Sequence, residues 1–187
     1  MSGVVTMRIA VLSLCLIGFV TSALADEADG CKKFAWDVSH EVAVMKQTPA
    51  PVRAGTKPGA QVPLVKLDKP YELALSPQSG VTYSAQPMKP TLNDSAQGGL
   101  VRFHSGKAGL YRVAITTGHW LDVVDGDTPI KSKDFSGSRE CPRPHKIVEF
   151  ELPANEDLVL QFSGSTDSSV IASITPVAAS SAAHAPN

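Results

Sequence analysis

The chain has 187 residues, of which 43% are hydrophobic and 19% charged, with a formal net charge of -1. That length holds one domain or two small ones, and the apolar content suffices for a packed core, which excludes wholesale disorder. The balanced charge argues against a nucleic-acid binder, which needs a clustered basic footprint.

Residues 1–25 read as a secretory signal peptide. Arg8 supplies the positive start, Ile9 to Val20 form an almost unbroken apolar run, and Ala23-Leu24-Ala25 is a small-x-small cleavage pattern followed by Asp26 and Glu27. The run is shorter than the roughly 20 residues of a spanning helix, so no transmembrane anchor is expected after cleavage. A periplasmic or secreted location follows as an expectation. Arg8 and Cys15 leave with the leader, so the mature chain carries a net charge of -2 and two cysteines, Cys31 and Cys141. Two cysteines in an oxidising compartment predict one disulfide. It would close a loop of about 110 residues, worth on the order of 4–5 kcal/mol in the chain-entropy model. A metal-binding or reactive pair is the alternative, but no C-x-x-C is present.

Residues 26–47 form an N-terminal segment with the one good helix candidate, over 34–47. Phe34, Val38, Val42 and Met45 fall on one face of a 3.6-residue period, and Asp37 is placed to cap it. Residues 48–63 carry four prolines and two glycines. They predict an extended connector through which neither helix nor strand runs.

From 64 to 177 the pattern turns to period-2 alternation. Tyr71, Leu73 and Leu75 begin it, then Val81, Tyr83 and Ala85. Val101 and Phe103 follow a proline-rich loop over Pro87 to Gln97. Tyr111, Val113 and Ile115 continue, then Leu121 and Val123, with Asp125-Gly126 as a hairpin turn signal. Val148, Phe150 and Leu152 come next, then Leu158, Leu160 and Phe162, and finally Val170, Ala172 and Ile174. About eight short strands without intervening helices predict a mostly β chain, an antiparallel β-sandwich with one N-terminal helix docked on it. The Ala/Ser-rich residues 178–187 are expected to be a disordered tail.

The search for chemistry is less productive. The five histidines are His40, His104, His119, His145 and His184, with no H-x-H or H-E-x-x-H among them. His104 and His119 flank neighbouring strand segments and could meet with a carboxylate to hold iron or zinc. Asp122, Asp125 and Asp127 lack the alternate spacing and distal Glu of a calcium loop. There is no G-x-S-x-G elbow, no S-x-x-K and no Gly-rich phosphate loop. Glu149 and Glu151 share an outward face, where carboxylates usually serve solvation. By parity, Arg102, His104, Arg112, Trp120 and Asp122 lie opposite the apolar rows of three successive strands. If those strands are neighbours, they make a mixed face with one aromatic, suited to a small ligand, a glycan or a protein partner. The competing reading packs Trp120 under the N-terminal helix or a loop.

The motifs Cys31-x-x-Phe34-x-Trp36-x-Val38, Gly109-Leu-Tyr111-Arg-Val113, Trp120-Leu-Asp122-Val-Val124, and Cys141 shortly before Lys146-x-Val148-x-Phe150-x-Leu152 span nearly the whole mature chain. In them the chain resembles a group of small exported proteobacterial proteins of unknown function, some of which carry the name homogentisate 1,2-dioxygenase. That enzyme family is far longer and holds a non-haem iron with two His and one Glu, a motif with no counterpart here. The Gly-x-Tyr strand followed by a Trp-x-Asp strand is also similar to the β-sandwich domains appended to secreted peptidases. Two functional expectations result. One is an exported binding or accessory module without a cofactor, using the Trp120 face. The other is a metal-dependent, dioxygenase-like oxidoreductase using His104, His119 and a carboxylate.

Overall fold

The computed structural model describes residues 30–89 and 93–178. The leader at 1–25 and tail residues 179–187 lie outside the described residues. Among the described residues the chain is mostly β, with twelve strands in two six-stranded sheets, the helix α1 (Ser39–Met45) and a 3-10 turn at Gln78–Gly80. The first sheet runs in the order β1 (Ala50–Arg53), β3 (Tyr71–Ala74), β12 (Ser169–Pro176), β6 (Gly109–Ile115), β10 (Lys146–Leu152), β9 (Ser132–Gly137). The second runs β2 (Leu64–Val65), β5 (Gln97–His104), β11 (Asp157–Ser165), β7 (Trp120–Asp125), β8 (Thr128–Ile130), with β4 (Ser76–Pro77) also paired to β5.

The sheets are mixed, not antiparallel as the alternation suggested. β1 pairs parallel with β3, and β2 parallel with β5. Both parallel pairs come from the Pro-rich stretch and its immediate sequel, which returns along the sheets without a hairpin. β1 therefore lies inside the segment expected to exclude strands. It is an edge strand, where Pro51 removes no ladder bond that the sheet needs.

Seven expected strands are present, and the one over 81–85 is not. There the backbone turns its donors to a side chain instead of a ladder: the Ser84 and Ala85 amides donate to Gln161 Oε1 at 2.7 and 3.1 Å. The Asp125-Gly126 signal is a true hairpin, with Asp125 opposite Thr128 and Gly126 at φ 59. A positive φ at the first loop residue is what a two-residue hairpin turn requires of glycine.

Alternation builds one core from both sheets. Leu73, Tyr111, Val113, Ile115, Val148 and Phe150 of the first join Val101, Phe103, Leu121, Val123, Leu158, Leu160 and Phe162 of the second in a single buried cluster. A second cluster, with Phe34, Val38, Met45, Ala114, Cys141 and Ile147, packs the N-terminal segment on the other face of the first sheet. Each fully buried aliphatic side chain contributes roughly 1.5–3 kcal/mol.

The helix is shorter than its hydrophobic period, because only Ser39–Met45 closes helical turns. The N-cap position is Val38, not Asp37, although the Asp37 carboxylate still accepts from the Ser39 amide at 2.9 Å. The Cys31–Cys141 disulfide is formed and ties the start of this segment to the loop after β9.

Candidate functional site

Of the five residues grouped by parity, Arg102, His104, Trp120 and Asp122 take one face of the second sheet, with β11 between β5 and β7, and Arg112 does not join them. Arg112 belongs to the first sheet, on β6, and is buried under α1. Its Nε donates to Glu149 Oε1 at 2.9 Å, and its Nη1 stands 3.4 Å from Glu41 Oε2 and donates to the Asp37 carbonyl at 2.7 Å. The guanidinium also lies 5.1 Å from the centre of the Trp36 ring. This is a clamp for the helix, and it takes Glu149 out of the solvated face assigned to it. Arg102, on β5, donates through Nε to the Val62 carbonyl at 3.1 Å and so holds the turn before β2. His104 ends β5 in solvent, paired with Asp157 at 2.9 Å.

His104 and His119 are not brought together. Across β11, His104 faces Asp157 while Trp120 faces Ser163. Six strand residues at about 3.3 Å each separate the levels of His104 and Trp120, and His119 lies one residue beyond, so the two histidines stand at least roughly 20 Å apart. Among the described residues no group of three or more His, Cys, Asp or Glu is placed to hold a metal. Iron or zinc on His104 and His119 is corrected by this separation.

Trp120 and Asp122 do act together. They share a face of β7, and the Trp120 Nε1–H donates to Asp122 Oδ1 at 2.8 Å. Residues 81–89 cross that face as a strap. Tyr83 Oη donates to the Phe162 carbonyl at 2.9 Å, Gln161 Nε2 to the Ala85 carbonyl at 3.1 Å, and the Met88 amide to Asp122 Oδ2 at 3.4 Å. Gly98 allows the close passage, since a Cβ there would stand 2.1 Å from the Tyr83 hydroxyl. Burial pushes the Asp122 carboxyl above its usual value, and the bonds from Trp120 and Met88 oppose that shift. Burial also pushes the Tyr83 phenol up to about 12.

At the end of the strap Lys89 Nζ lies 5.6 Å from the Trp120 ring centre, a cation–π contact. Here the surface opens into a cavity of about 590 Å³ lined by Lys89, Trp120, Leu121, Phe135, Lys146 and Val148 among others. Leu121 and Val148 are core residues, so the apolar wall is the rim of the core itself. Phe135, on edge strand β9, is 71% exposed and stands opposite Val148. Lys146 begins β10 and donates from Nζ to the His119 carbonyl. Burial, with Lys89 nearby, pushes its ammonium down to about 8. His119 is fully buried, with Nδ1 2.7 Å from Thr117 Oγ1. Burial drives the imidazole down to about 4 and keeps it neutral at ordinary pH.

Trp120 thus lies between the two sequence expectations. It is partly buried, is held by a hydrogen bond, and still presents a wall to the cavity. Lys89, Phe135 and Lys146 went unread in the sequence. Lys146 left a signal, because it occupies the same parity as Val148, Phe150 and Leu152 and is the one charge in an apolar row. Comparison with protein-family models, with curated proteins and with solved structures finds no match.

Proposed function

We propose that this chain is an exported binding module, two sheets packed face to face as a sandwich, that holds a small organic ligand in the cavity beside Trp120. The observation that carries this reading is the 590 Å³ space, walled by an anchored indole, an exposed phenyl ring and the core rim, with two amines at its edge. Ligand pockets typically measure about 300–1,000 Å³ and combine apolar walls with a few placed polar groups. The single cluster drawn from both sheets supports the sandwich arrangement. The leader pattern at 1–25 and the Cys31–Cys141 disulfide support export to the periplasm or beyond. A concave site favours a small molecule over a glycan chain or a protein partner, both of which prefer open surfaces.

Isothermal titration with two bicyclic probes, 2-naphthoate and 2-naphthalenemethanol, tests the reading. At least one should bind with a Kd below millimolar. Trp120→Ala should weaken that binding at least tenfold at a temperature where circular dichroism shows the variant folded. Failure of both probes to bind would overturn it.

A further inference from the structure

We infer that the cavity selects an organic acid, a carboxylate on an apolar body, held between Lys146 and Lys89. This rests on the cavity being a ligand site, and it names the chemistry that site takes.

Two amines line one cavity whose remaining wall is largely hydrocarbon. Lys146 is half-buried and Lys89 is exposed; holding the Lys146 ammonium out of water beside a second ammonium is costly unless an anion compensates it. Among the described residues no carboxylate forms an ion pair with either lysine, although Lys33 and Lys133, both exposed, each have one. The carbonyl of His119 is the protein group that Lys146 Nζ meets. An ammonium has three donors, so two remain for a bound group. Lys89 is itself positioned by the Trp120 ring, which is held by Asp122. The charged group acting on Lys146 is Lys89; His119 beside it is neutral, and the Asp167 carboxylate acts on His119 rather than pairing with either lysine. Asp122 lies two residues along β7, with its oxygens engaged by Trp120 and Met88.

The walls complete the specification. A carboxylate between the two amines leaves its substituent against Leu121, Phe135, Val148 and the indole. A bare inorganic anion would gain the charge but none of the apolar contact. A neutral aromatic of equal size would gain the contact and leave the amines uncompensated.

The same two probes separate these terms, because 2-naphthoate and 2-naphthalenemethanol share the ring system and differ in charge. At pH 6.5 the acid should bind at least tenfold tighter than the alcohol. Its advantage should fade as pH rises through about 8, where Lys146 loses its proton. Lys146→Met should remove most of the acid's advantage and leave the several-fold share that Lys89 supplies. Met matches the length and volume of the buried stem, so the fold should persist. Lys89→Met is the second variant and should reduce the acid's affinity several-fold on its own. Equal affinity for acid and alcohol in the native protein, or an undiminished preference in both variants, would overturn the inference and leave the cavity reading standing. If neither probe binds, both fall.

Discussion

The indole of Trp120 and the carboxylate of Asp122, two residues apart on one face of β7, are joined by a 2.8 Å hydrogen bond that fixes the ring as a cavity wall. Asp122 also receives the Met88 amide, so one carboxylate fastens both the wall and the strap.

Asp122→Ala should therefore disturb binding and stability together. Leaving a buried donor unmet costs about 1–3 kcal/mol. The expected outcome is an unfolding free energy lower by that amount, a red-shifted tryptophan emission and weaker probe binding. Trp120→Ala breaks the same bond from the donor side and leaves the buried Asp122 oxygen unmet, so it should lower the unfolding free energy as well as cost binding.

The buried triad of Glu41, Arg112 and Glu149 makes a second prediction. Side chains of all three are less than a tenth exposed. Arg112→Met strands two carboxylates under α1 and should cost about 3–5 kcal/mol, whereas a concerted replacement of all three by apolar residues should cost far less. Chemical denaturation of the single and triple variants checks this.

Removing the disulfide tests the staple. A cross-link between residues 110 apart restricts the unfolded chain strongly. Cys31→Ala with Cys141→Ala should lower unfolding free energy by about 4 kcal/mol in the chain-entropy model. The bridge packs in the second cluster, apart from the core residues Leu121 and Val148 that wall the cavity, so probe affinity at low temperature should be unchanged.

His119 predicts an acid sensitivity. Its folded value is about 4 against an ordinary 6.5, so the unfolded chain binds more protons between those values. Stability should be fully present above about 6.5 and fall as pH drops toward 4, by roughly 3 kcal/mol from this group. His119→Phe should flatten that part of the pH profile. A profile of unchanged slope in the variant would show that other groups carry the acid transition.

Much of the framework was readable from residue order. Strands β3, β5, β6, β7, β10, β11 and β12 follow alternation, because each buries one inward row in the common core. Val81, Tyr83 and Ala85 alternate equally well, yet they form the strap. Period-2 patterning alone does not say whether a segment joins a ladder: the strap leaves Tyr83, Ser84 and Ala85 alike half-buried, and its Ser84 and Ala85 amides bond to the Gln161 side chain instead of to a strand. β1, β8 and β9 were illegible for a related reason. They are short edge strands or sheet ends, with little apolar patterning of their own.

The residue order alone settled the β character, the single disulfide and the Gly126 turn, because alternation, cysteine count and glycine's tolerance of positive φ are local properties. Strand order had to come from the fold. It sent Arg112 to one sheet and Trp120 to the other, set His104 and His119 at opposite ends of a shared neighbour, and brought Lys89 and Lys146, 57 positions apart in sequence, to one cavity. Parity states which face of a strand a side chain takes. Which strands lie side by side depends on non-local pairing, and the candidate site exists only through that pairing.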